Sequence, residues 1–124
     1  MGAKRVIQWQ MYGIPNCSTV KKARLWLEAE GVAYQFHDFK KEGVDRILLQ
    51  YWVGELGTDS LLNKRGTTWR KLSLEQQAGA STLEGALALM MEFPSLIKRP
   101  VLTDGREVVL GFDAGVYQGR FSSG

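Results

Sequence analysis

The spacing of apolar residues along this chain changes with position, and each change marks an element. Val6 to Tyr12 is a short apolar run that reads as a buried strand. Ser18 to Glu30 is amphipathic: Val20, Ala23, Leu25, Trp26, Leu27 and Ala29 are assigned to a buried helical face, and Gly31 is the stop. Val32 to Phe39 alternates with period two through Val32, Tyr34 and Phe36, the pattern of a second strand. A strand–helix–strand unit of this size implies parallel strands and a right-handed crossover.

The helical period then takes over. Lys40 to Gly43 reads as a basic, polar turn, and Val44, Ile47, Leu48, Tyr51, Trp52 and Leu56 recur at helical spacing up to Gly57. A short helix follows around Thr58 to Leu62, then a basic, donor-rich block from Asn63 to Leu72. Ser73 is the N-cap of a helix through Ala78. Ser81-Thr82-Leu83-Glu84 has the form of a capping box opening a helix from Thr82 to Glu92, ended by Pro94. The whole of Lys40 to Ser95 is expected to be helical, without strands. Leu96 to Leu102 returns to an extended pattern, Asp104-Gly105 is a hairpin turn, and Glu107 to Leu110 is the returning strand. Asp113 caps a last helix, Ala114 to Arg120, and Phe121 to Gly124 reads as a frayed end. The expectation is an α/β protein: a four-stranded mixed sheet with an all-helical insertion.

Composition narrows the function classes. At 124 residues the chain is one domain with room for a real core. Its net charge of +3 is dispersed, which gives no electrostatic case for nucleic acid. No stretch reaches membrane-spanning length, and the amino terminus carries no signal-type apolar run. A single cysteine excludes an internal disulfide, so a reducing compartment, the cytoplasm, is expected. The lone His37 has no partner at ligand spacing, so no metal site is expected and His37 reads as a quiet strand or surface residue.

That cysteine lies at the most informative place in the chain. Gly13, Pro15 and Asn16 supply a sharp bend between the first strand and the first helix, which puts Cys17 at the helix start. Unpaired amides and the positive end of the helix dipole favour an anion there, and a thiolate is one. Ser18 and Thr19 add hydroxyl donors, and Lys21 and Lys22 add positive charge within a turn. A free cysteine elsewhere is most often a small buried hydrophobe. This context favours a reactive thiol. Arg99-Pro100 before the third strand suits a thioredoxin-like site, in which a cis Pro100 would let adjacent backbone pair with a substrate chain.

Three blocks, Tyr12 to Ala23, Leu61 to Leu72 and Leu96 to Pro100, resemble the arsenate reductase–related (ArsC/Spx-like) family, its YffB-type branch in particular. The resemblance implies a single domain over residues 1–124, with a thioredoxin-like core at about 4–40 and 96–120 and a helical insertion at about 41–95. It also implies that Cys17 is the nucleophile and Arg99 its electrostatic partner. Of the three arginines that hold the oxyanion in arsenate reductases, the first falls on Asn63 here, with Arg65 two residues on, and the third falls near Gly111. Only Arg99 is clearly retained.

Three functions follow from that resemblance. The preferred one is a glutathione-dependent thiol–disulfide reductase working with one cysteine, glutathione serving as co-substrate and glutaredoxin as a further partner. Arg65, Arg70 and Arg99 are candidates for glutathione carboxylates, and Asn16, Ser18 and Pro100 for further substrate contacts. Asn16 is a turn residue first, and Trp69 is the tryptophan expected nearest a ligand. The second is an Spx-like regulator that binds RNA polymerase through the surface around Gly54 to Asn63, although Val20 stands where a Cys-x-x-Cys switch needs its second thiol. The third, least favoured, is arsenate reduction. A monomer without nucleic-acid or membrane partners is expected.

Overall fold

The computed structural model describes residues 8–121. Val6 and Ile7, assigned above to the first strand, and the expected frayed end beyond Phe121 lie outside them. Two compact units emerge: residues up to His37 together with those from Arg99 on, and the intervening Asp38–Lys98.

The first unit carries the sheet. Strands β1 (Trp9–Gly13), β2 (Tyr34–Asp38), β3 (Val101–Thr103) and β4 (Val108–Leu110) lie in the order β2-β1-β3-β4. β3 is antiparallel to β1, with Tyr12 opposite Val101, and β4 is antiparallel to β3, with Val101 opposite Leu110. The sheet is mixed, in the thioredoxin-like arrangement expected. Helix α1 (Ser18–Ala29) joins β1 to β2. Its buried face is narrower than the apolar pattern suggests. Val20, Ala23 and Leu27 are buried, whereas Leu25 is 66% exposed and Ala29 is exposed. At 100° per residue, positions 20, 23 and 27 share a stripe, and position 29 falls opposite position 20.

One core joins Met11 of β1, Val20, Ala23 and Leu27 of α1, Leu102 of β3, Val109 of β4 and Tyr117 of the last helix. Trp26 and Phe112 pack edge-on against the Tyr117 ring, and the Tyr117 hydroxyl donates to the Gly111 carbonyl. Gly13 ends β1 against α1: a Cβ there would lie 2.9 Å from Val20 Cγ2. His37 on β2 stacks on the Tyr12 ring at 4.5 Å, with Nε2 2.5 Å from Gln10 Oε1.

The second unit is built from short helices: α2 (Phe39–Glu42), α3 (Arg46–Leu56), α4 (Thr58–Leu61), α5 (Thr67–Lys71), α6 (Leu74–Gly79) and α7 (Leu83–Glu92). Several local expectations change here. The basic turn after β2 is a single helical turn, α2, because Asp38 caps it by accepting from the Lys40 amide. On α3 the buried residues are Leu49 and Trp52, while Ile47 is 74% exposed. Asp45 accepts from the Ile47 amide and so sets the helix start.

Ser73 caps α6 in a full capping box with Gln76. The box expected at Ser81 does not form. Thr82 is the N-cap of α7 and accepts from the Gly85 amide, which leaves Glu84 free to pair with Arg46 of α3 at 2.5 Å. The extended run from Leu96 is also shorter than expected. Pro94–Leu96 is a 3₁₀ turn, and the strand begins only at Val101. In between, Leu62 and Ile97 form an isolated antiparallel bridge, so this unit is not purely helical. Helix α8 (Ala114–Phe121) closes the first unit, with Asp113 accepting from the Val116 amide.

Candidate functional site

Cys17 is the N-cap of α1, with extended backbone at φ −77° and ψ 128°. The preceding turn is closed by the Cys17 amide donating to the Ile14 carbonyl at 3.0 Å, and the Cys17 carbonyl accepts the first helical bond from the Lys21 amide. Asn16 and Ser18, on either side, are exposed, and the thiol itself is half-buried. Position and access are therefore both set by the strand–turn–helix.

The thiol's acidity reflects a contest. Burial pushes its pKa up, since a thiolate is poorly solvated there. The Val20 amide, a hydrogen bond from the Arg99 side chain, the Thr19 amide and the Arg99 charge together outweigh that, and the pKa lies below the ordinary value. The sulfur makes no cap hydrogen bond of regular geometry. The two amides act as nearby dipoles at the helix start, and the guanidinium supplies the charge.

Arg99 is far from Cys17 in sequence, and sheet pairing is what joins them. The antiparallel register of Tyr12 with Val101 carries the residues entering β3 to the end of β1, where the Cys17 turn begins. The Arg99–Pro100 peptide is cis, Pro100 is buried, and its carbonyl accepts from the Gly111 amide at 2.8 Å. Cys17, Asn16, Ser18, Arg99 and Pro100 thus all belong to the first unit.

The comparisons with known proteins bear on this arrangement. The family model of the ArsC family matches residues 12–119. This chain belongs to the ArsC family. A solved YffB protein is 45% identical, with a TM-score of 0.83 over 90% of this chain and 96% of that one. An uncharacterised protein of Haemophilus influenzae is 39% identical over 112 residues, covering 90% of this chain and 97% of its own. Regulatory protein MgsR of Bacillus subtilis is 29% identical over 110 residues, covering 87% and 86%.

In this ArsC-family chain, Arg65 and Arg70 belong to the second unit and both are exposed. Arg65 lines an open cleft of about 600 Å³ with Asp59, Leu62, Asn63, Lys64 and Lys98; Arg70, in the last turn of α5, does not. Trp69 lies beneath the Lys64 ammonium, 5.5 Å from its ring centroid. Lys64, Lys98 and Asp59 escape a reading from sequence. The lysines stand inside the Leu61 to Leu72 and Leu96 to Pro100 blocks, but separate lysines on a basic chain look like solvated surface until a fold gathers them. Among the described residues no group of three or more His, Cys, Asp and Glu could hold a metal, and no helix is long and apolar enough to cross a membrane.

Proposed function

We propose that this ArsC-family protein is a thiol–disulfide reductase that works through the single thiol of Cys17 and uses glutathione to complete its cycle. The observation that carries the reading is the Arg99 side chain hydrogen-bonded to a half-buried Cys17 thiol at the start of α1, with the thiol pKa lowered. A thiol so placed is substantially a thiolate at a lower pH than a free one, and the thiolate is the attacking species in disulfide exchange.

The chain has one cysteine, so the second thiol of the cycle comes from solution. Cys17 Sγ attacks the glutathione sulfur of a mixed disulfide. The sulfur–sulfur bond of the substrate breaks, and the substrate leaves as a thiolate that takes a proton. The enzyme now carries glutathione on Cys17. A glutathione thiolate attacks the glutathione sulfur of that adduct, releasing glutathione disulfide and restoring the Cys17 thiolate. The net reaction converts one mixed disulfide and one glutathione into one free thiol and one glutathione disulfide. Arg99 pairs with the Cys17 thiolate at the start and at the end, when Cys17 is the leaving group.

Turnover of a glutathionylated peptide by the purified protein tests the reading. Activity that needs glutathione and is lost in Cys17→Ser supports it; activity unchanged in Cys17→Ser, or none with any mixed disulfide, overturns it.

A regulatory role is the second reading, favoured by the likeness to MgsR, whose name is that of a regulator. Its disulfide-switch form fits poorly, because the position three after Cys17 is Val20, fully buried in the core. Arsenate reduction fits least. Gly111, at φ +75°, adopts a conformation that an arginine rarely takes, and Asn63 uses its side-chain oxygen to accept from the Arg65 amide.

A further inference from the structure

Both backbone polar groups of Gly111 are taken up by named partners, and the chain they make leads to Arg99. Val101 of β3 pairs with Leu110 of β4, and one position further the Gly111 amide donates to the Pro100 carbonyl at 2.8 Å. Proline has no amide to donate in return, so that carbonyl is the one ladder group Pro100 possesses. The Gly111 carbonyl accepts from the Tyr117 hydroxyl at 3.3 Å. At φ +75° Gly111 turns the chain from β4 toward α8, a conformation glycine adopts without strain.

Tyr117 is itself held on several sides. It is fully buried, and its amide donates to the Asp113 carbonyl at 3.0 Å. Trp26 and Phe112 meet its ring edge-on, at centroid distances of 5.5 and 4.8 Å. Arg120, on the same helix, pairs with Glu107 at the entry to β4 and ties α8 to that strand. Burial holds the phenol pKa well above its ordinary value, so the hydroxyl keeps its proton and donates throughout the range in which a thiol titrates.

For packing alone a phenylalanine would serve at this position. A hydroxyl in a core costs free energy unless it is hydrogen-bonded, and the bond made here is to the residue that holds Pro100. Pro100 directly follows Arg99, whose side chain hydrogen-bonds the Cys17 thiol. A long side chain gives up rotamer freedom to keep one partner, and a fixed backbone at its root limits how far the guanidinium can wander. From this continuous chain we infer that Tyr117 is a positioning residue: through the Gly111 turn it fixes the Arg99–Pro100 backbone, and with it the guanidinium on Cys17 Sγ. Lys21 and Lys22, the cations nearest Cys17 in sequence, are exposed and screened by solvent, so they do not replace a displaced Arg99. The inference deepens the reductase reading and rests on it for Cys17 as the reacting thiol.

The rate of Cys17 alkylation by iodoacetamide against pH, in the full reduced protein, tests it. Tyr117→Phe keeps the ring and removes the hydroxyl. Its profile should move to higher pH, with the rate at neutral pH down about threefold, within the worth of one hydrogen bond. Gly111→Ala adds a methyl that meets nothing within 4 Å but resists φ +75°, and should move the profile the same way. It reads the same chain should Tyr117→Phe fail to fold. In an Arg99→Gln background, Tyr117→Phe should have no further effect. Leu27→Val loosens the same core farther along α1 and should leave the profile in place. A folded Tyr117→Phe or Gly111→Ala with the parent's profile, an equal shift with Arg99→Gln already present, or an equal shift in Leu27→Val would each overturn the inference. Alkylation needs no glutathione, so a shifted profile without glutathione-dependent turnover supports the positioning role and overturns the reductase reading alone.

Discussion

The Arg99 side chain hydrogen-bonds the Cys17 thiol, although the two residues belong to separate chain segments of the sheet-bearing unit. A cation so placed favours the thiolate over the thiol, while the partial burial of the sulfur favours the reverse. Arg99→Gln keeps a hydrogen-bonding side chain but removes the charge. The alkylation rate of Cys17 against pH should then move to higher pH, and the rate at neutral pH should fall by roughly tenfold, the worth of one charge-assisted hydrogen bond. A superimposable profile would show that the guanidinium does not act on the thiol.

The same shift has a stability consequence with a definite sign. The folded thiol has the lower pKa, so between the folded and unfolded values the unfolded chain binds more protons and stability rises with pH. The contribution is complete above the unfolded value of about 8.5 and disappears as pH falls through the folded value. Urea denaturation of the protein and of Cys17→Ser should therefore give a stability difference that grows from acid to mildly alkaline pH. A difference flat with pH would contradict the lowered pKa.

Gly13 and Val20 form a tight pair beside the Cys17 turn. Gly13→Ala forces its new methyl against Val20 Cγ2 and should cost about 1–3 kcal/mol. In a Val20→Ala background that clash is gone, so the same substitution should cost less than half as much. Chemical denaturation of the four proteins in this double-mutant cycle measures the coupling.

Gly85→Ala should be more damaging. Its Cβ would overlap the Gly79 carbonyl oxygen, which is backbone and has little freedom to yield. A loss of about 3 kcal/mol or more is expected, read as a lower thermal midpoint by circular dichroism.

Thr82 and Glu84 separate two interactions at the start of α7. Thr82→Ala removes the cap to the Gly85 amide and should cost about 1 kcal/mol. Glu84→Gln removes only the pair with Arg46, both side chains well exposed, and should cost under about 1 kcal/mol. Equal costs would mean that Glu84 contributes to capping after all.

Local rules settle much of this protein from its sequence. The bend at Gly13 to Asn16, Cys17 at the start of α1, the Asp104-Gly105 hairpin and the caps at Ser73 and Asp113 depend on residues within a turn of one another. Short-range sterics and hydrogen bonds suffice for them. What depended on distant partners was decided by the tertiary structure. Ile47 looks as apolar as Leu49, but only packing chooses which faces inward. Ser81-Thr82-Leu83-Glu84 reads as a capping box, but Thr82 is the N-cap, which puts Gly85 rather than Glu84 at the third helical position and leaves Glu84 to pair with Arg46 of α3. The Leu62–Ile97 bridge joins two segments that read as helix end and strand, and it sets Lys98 beside Leu61. Arg99 reaches Cys17 through the pairing of β3 with β1. A residue's neighbours along the chain determine its backbone, but its charge partners are set by whichever distant segment the core packs beside it.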